Sequence, residues 1–186
     1  MKYKDRLVSK GFFQFHGVEY TETFAPFANM DSIMLVLAIA ASKWWEVHHM
    51  DVKSDFIHGE IHEDIYMHYH EVFINYPSLV CRLKKSLYGL KQAPRAWYAK
   101  MDKFLLSQGF ERWKYDPNLY LHHLDDSIQI IVLYVDDILI TGICIADMGS
   151  IKCSLHSVFS MTGLGLLKQF LGLQIEKYDV GIKVSQ

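Results

Sequence analysis

An adjacent pair of acids inside an apolar run constrains this chain more than any other feature: Asp136 and Asp137 in Ser127-Ile-Gln-Ile-Ile-Val-Leu-Tyr-Val-Asp-Asp-Ile-Leu-Ile-Thr-Gly142. Residues 130–134 and 138–140 are β-branched, aromatic or leucine, too short for helices and too apolar for loops. They predict a hairpin of two buried strands with the carboxylates at its tip. Like charges side by side repel, and a divalent cation relieves the repulsion; hard oxygen ligands suit Mg²⁺ or Mn²⁺. A solvated Asp-Asp turn is the competing reading, and the rest of the chain has to decide between them.

A length of 186 residues predicts one domain, or one large domain with a small lobe. Hydrophobic residues make up 51% and aromatic residues 14%, enough for a core and unlike a disordered chain. The net charge of −2 excludes a global basic field, so any polyanion contact has to be local. Cys81, Cys144 and Cys153 are odd in number and form no CxxC pair. That spacing argues against a disulfide framework and for a reducing compartment, with the thiols expected in the core. The first residues are polar and no apolar leader follows. The longest apolar helical run, 33–41, is half of what a membrane span needs, and a soluble protein is expected.

Lys2, Lys4, Arg6 and Lys10 surround Leu7-Val8, which suggests an edge strand with a basic face or a solvated terminus. Asp31 or Ser32 can cap a helix from Ile33 to about Lys43, apolar nearly all round and therefore expected to be buried. Residues 46–56 predict a second strand ending in acid, with Asp51 after an apolar approach and Asp55 four residues on. A short helix or turn, then a strand at 65–69, should follow Gly59. His58, His62, His68 and His70 alternate there without a cysteine partner, which reads as surface histidine rather than zinc.

In residues 80–98, Arg82, Lys84, Lys85, Lys91 and Arg95 interleave with Tyr88, Trp97 and Tyr98. Gly89 lets backbone approach a ligand closely, and Pro94 suits the first turn of a helix over 95–107 that Gly109 ends. Trp97, Met101, Phe104 and Leu105 form its core stripe. Asp116-Pro117 predicts a turn. A helix over 146–159 and a final hairpin, 174–178 with 182–185, complete the chain.

Two strands thus end in acid. If they are neighbours in one sheet, Asp51, Asp136 and Asp137 meet at one edge, enough for two divalent ions. Such a pair can activate a 3′-hydroxyl, steady a leaving oxygen and neutralise a triphosphate during in-line displacement. The basic groups near the N-terminus and Lys91 could hold phosphate from the other side.

These residues carry a resemblance that runs over nearly the whole chain: Arg6-Leu-Val-Ser-Lys-Gly-Phe12, Tyr20-Thr-Glu-Thr-Phe-Ala-Pro26, Met50-Asp-Val-Lys-Ser-Asp-Phe56, Leu87-Tyr-Gly-Leu-Lys-Gln-Ala-Pro-Arg-Ala-Trp97, Asp116-Pro-Asn-Leu-Tyr120, Tyr134-Val-Asp-Asp137 and Phe170-Leu-Gly172. The chain resembles the Ty1/copia-type reverse transcriptase domain of LTR retrotransposon polyproteins. The resemblance implies an α+β right-hand polymerase, a palm of antiparallel strands backed by helices. Residues 1–30 would be partial fingers and 31–186 mostly palm, with a finger-like insertion at about 57–95 and no thumb or RNase H. It implies Asp51, Asp136 and Asp137 as catalytic ligands of two Mg²⁺ (or Mn²⁺) ions, with the Val52 carbonyl as an extra ligand. Phe56 matches the aromatic that stacks beneath the incoming sugar, and Lys4 and Arg6 match bases that grip the triphosphate. Gly89, Lys91 and Gln92 fall at the template–nucleotide contact; Tyr134, Phe170 and Gly172 fall near the primer. Template–primer nucleic acid and deoxynucleoside triphosphates are the implied partners, with no membrane. The cytoplasm is the implied location, the nucleus its alternative.

The sequence also departs from that pattern. Asp55 stands where the family usually has alanine, and a carboxylate facing a polyphosphate there would cost on the order of 1 kcal/mol at an effective dielectric near 20. His58 replaces asparagine, Gly163 replaces an acid, and Tyr66-Met-His-Tyr-His-Glu-Val-Phe73 lacks the usual turn formers. Two readings follow: an RNA-directed DNA polymerase domain, or an inactive remnant that keeps the fold and at most weak nucleic acid affinity.

Overall fold

The computed structural model describes residues 7–53, 56, 59–68, 80–125, 127–178 and 181–186. Lys4, Arg6, Asp55, His58 and most of the altered loop after Tyr66 lie outside them. The chain divides into two compact units, Met1–Ala25 with Ser54–Met101, and Pro26–Lys53 with Asp102–Gln186.

The larger unit is built on a six-stranded antiparallel sheet. Its strands are β1 (Val47–Val52), β4 (Glu111–Trp113), β5 (Asp116–Leu124), β6 (Ser127–Tyr134), β7 (Asp137–Gly142) and β8 (Met161–Leu166), in the order β4-β5-β6-β7-β1-β8. The apolar run around the acid pair forms the β6–β7 hairpin, paired from Gln129↔Gly142 to Tyr134↔Asp137. Strands buried on both faces read as continuous hydrophobic runs, and residues 130–133 and 138–141 are all buried.

Alternation then sorts the faces. Ile130, Val132, Leu139 and Val47 face α1 (Met30–Lys43), meeting its Ile33, Val36, Leu37 and Ala40 in one core cluster. Phe170 and Ile175 join that cluster from a separate three-stranded sheet, β9 (Gln169–Phe170), β10 (Leu173–Tyr178) and β11 (Gly181–Ser185). Only a stripe of α1 is buried. Met30, Met34 and Leu35 are exposed, so the expectation of an all-round buried helix is corrected. The helix also begins earlier than expected, because Asn29 rather than Asp31 or Ser32 caps it and accepts the Asp31 N–H at 3.1 Å. Buried Asp116 fixes that cap in turn, accepting the Asn29 N–H at 2.8 Å and the Asn118 N–H at 2.9 Å. The expected Asp116-Pro117 turn is therefore the start of β5.

In the smaller unit, β2 (Tyr66–His68) pairs with β3 (Val80–Arg82). Residues 7–10 form no strand there. Ile65, Leu90 and Ala93 make its core with Phe56, Ile61, Leu83 and Leu87 against them. Helix α2 (Ala93–Ser107) carries the boundary between the units; Trp97, Met101 and Leu105 are buried along it, and Gly109 (φ +87°) follows its end. α3 (Ile145–Val158) buries Met148, Ile151 and Leu155. The thiols are not core groups: Cys81, on short β3, and Cys144, at the N-cap of α3, are half-buried, and Cys153 on α3 is exposed. No helix among the described residues is long and apolar enough to cross a membrane.

Candidate functional site

The site is set by strand register. Antiparallel pairing of β1 with β7 puts Asp51 directly opposite Asp137, so both carboxylates leave the same sheet face. The Val52 N–H donates to the Asp136 carbonyl at 2.8 Å, fastening the hairpin tip to the end of β1. Backbones 85 or more residues apart in sequence thus bring Asp51, Asp136 and Asp137 to one corner of the sheet.

The tip itself is unusual. Val135 and Asp136 form a two-residue turn, and Val135 has φ +55°. Positive φ at the first central position, as in a type II′ turn, normally selects glycine. A β-branched residue there is an outlier, and such strain persists where surroundings over-determine it, commonly at functional sites.

An aromatic group lies behind the acids on the same face. Tyr134, opposite Asp137 on β6, has its ring 6.2 Å from those of Phe27 and Phe170. Buried Phe170 meets the His49 ring edge-on at 5.5 Å. Leu171 (φ +49°) and Gly172 (φ +82°) form the tight turn that follows it into β10. A cavity of about 430 Å³ adjoins this group, lined by His49, Leu164, Leu166, Lys168, Phe170 and Gly172 among others.

His49 is the residue that sequence reasoning missed. It lies two positions before Asp51 on the same face, diagonal to Asp137, and its Nε2–H donates to Asp137 Oδ1 at 2.6 Å. That is a close contact, just under the roughly 2.7–2.9 Å of a charge-assisted N–H···O bond. Thr162 was missed as well: it stands opposite Asp51 on β8, and its Oγ1 is buried without a hydrogen-bond partner. Gly163 pairs with Met50 on the same strand.

Asp51, Asp136, Asp137 and the Val52 carbonyl are the hard-oxygen set a Mg²⁺ ion takes. The backbone gathers them, but the side chains do not converge. Among the described residues, no three or more histidine, cysteine, aspartate or glutamate side chains stand together as a metal-holding group. As arranged, with Asp137 Oδ1 turned to His49, they do not fit such an ion.

The other expected residues belong to the smaller unit. Phe56 packs on Tyr88 with ring centroids 5.3 Å apart. Gly89 (φ +97°) is required by its own chain: a Cβ there would meet the Ser9 carbonyl oxygen at 2.1 Å. Lys91 Nζ donates to the Tyr20 hydroxyl at 3.0 Å. Buried Gln92 is held on both ends of its amide, accepting from Gln14 Nε2 at 3.1 Å and donating to the Glu19 carbonyl at 2.9 Å. These bonds tie residues 9–20 to 88–92 within the unit.

An acid-tipped hairpin paired with an acid-ended strand, in an α+β fold with an antiparallel sheet flanked by helices, agrees with what comparison of the whole chain finds. The family model described as reverse transcriptase (RNA-dependent DNA polymerase) matches residues 1–186. The chain belongs to this family, as a Ty1/copia-type domain of an LTR retrotransposon Pol polyprotein. It is 43% identical over 94% of its length to the retrovirus-related Pol polyprotein from transposon TNT 1-94 of Nicotiana tabacum. It is 39% identical over its full length to that from transposon RE1 of Arabidopsis thaliana. In each case it spans 13% of the relative's length.

Proposed function

We propose that this chain is a reverse transcriptase palm with part of the fingers, derived from a nucleic acid polymerase and, as it stands, a catalytically inactive remnant with at most weak nucleic acid affinity. The observation that carries this reading is the state of the acids: their backbones adjoin, yet Asp137 is engaged by His49 and no metal-holding group of side chains forms among the described residues. Weak affinity follows from charge. Duplex binding is mostly a phosphate-contact term, the net charge is −2, and Lys91 is bonded to Tyr20.

The second reading is the active enzyme, adding a deoxynucleotide to a primer 3′-end on an RNA template. The Asp51↔Asp137 register, the Val52–Asp136 bond and the strained Val135 turn favour it. In that reading Asp51, Asp136 and Asp137 with Val52 hold Mg²⁺ or Mn²⁺, and Lys4 and Arg6 take the triphosphate. Phe56 takes the sugar, Gly89, Lys91 and Gln92 the template–nucleotide pair, and Tyr134, Phe170 and Gly172 the primer end.

Primer extension on an RNA template with Mg²⁺ or Mn²⁺ tests the two. The remnant gives no extension above that of Asp136→Asn, even at high protein concentration. Extension that Asp136→Asn abolishes overturns the proposal in favour of the enzyme.

A further inference from the structure

We propose that His49 is a positioning residue that keeps Asp137 from serving as a cation ligand, and that removing its N–H restores divalent-cation binding at the end of β1. The inference rests on the remnant reading above and names the contact responsible for it.

Asp137 lies in register with Asp51 and within hydrogen-bond reach of His49 on the same face. With Oδ1 bonded to His49 Nε2 at 2.6 Å, the direction of the Asp137 carboxylate is set by the histidine, and a cation between the acids would need that group turned toward Asp51 instead. The His49 side chain is only 12% exposed, and its ring stands edge-on to buried Phe170. The Phe170 ring supports the rotamer that aims Nε2 at Asp137.

A hydrogen bond to a metal-binding carboxylate often supports the site instead, and losing such a partner commonly weakens metal affinity by about 10–100-fold. That role goes with carboxylates already turned toward a common point. Here the backbone has brought the acids together and their side chains do not gather, which favours withholding over support.

The test is Mn²⁺ titration followed by the paramagnetic signal of the free ion. It uses the unsubstituted chain, His49→Phe, which keeps a ring against Phe170 without a donor, and His49→Leu as a second donor-free variant. The unsubstituted chain should bind weakly and His49→Phe about tenfold more tightly or better. Asp137→Asn in the His49→Phe background should remove the gain, which a general loosening of the fold would not do. Equal or weaker binding by both donor-free variants overturns the inference and leaves the remnant reading intact. Tight binding by the unsubstituted chain, lost in Asp136→Asn, overturns both. A measurement without substitution gives an independent check. Mg²⁺ at high concentration should shift the ring proton resonances of His49, and cation binding that leaves them unmoved contradicts the proposal.

Discussion

At the hairpin tip, Val135 and His49 show how much of the site depends on single side chains. Holding a β-branched residue at φ +55° costs about 1–3 kcal/mol. Val135→Gly should therefore stabilise the chain by roughly 1 kcal/mol, read as a higher urea midpoint at unchanged slope. An unchanged or lower midpoint would mean that the valine side chain contributes more through its contacts than its backbone costs. The acids were legible in the sequence because carboxylates ending apolar strands are rare. His49 was not, being one of ten histidines; only the register of β1 on β7 makes it Asp137's neighbour, and register is a long-range property. Once Asp51 is set opposite Asp137, however, the residue two positions before Asp51 is a diagonal neighbour by geometry alone.

The elements with strong local signals came through: the β6–β7 hairpin, β1, the helix after Pro94, the helix over 146–159 and the closing hairpin. Those without them did not. Met161-Thr-Gly-Leu-Gly-Leu166, with two glycines, carries no local strand signal and raises no expectation, yet it is β8, the edge strand beside β1. Asp116 reads as a turn former, because its pairing with the Asn29 cap, 87 residues away, cannot be seen locally. That buried carboxylate joins the start of α1 to the start of β5. Asp116→Ala leaves two backbone N–H groups without their acceptor and should destabilise the chain by about 1–3 kcal/mol. Chemical denaturation checks this, and a loss under about 0.5 kcal/mol would show that the junction contributes little.

For the molecule as a whole, family membership covers the entire chain, while the chain covers 13% of the polyproteins it matches. Ancestry and present activity are therefore separate matters, and in the proposed reading activity turns on the end of one sheet. Everything said of that end depends on β1 lying against β7 in the register that opposes Asp51 to Asp137. Opposed residues in an antiparallel pair have Cα atoms about 4.5–5.5 Å apart, within disulfide reach of about 4.4–6.8 Å. With Cys81, Cys144 and Cys153 replaced by serine, the pair Asp51→Cys and Asp137→Cys should oxidise readily to an intramolecular disulfide in the folded chain. Asp51→Cys with Leu139→Cys, one diagonal step away, should not. A cross-link that forms equally in both pairs, or in neither, would contradict the register and with it the assembly of the three acids.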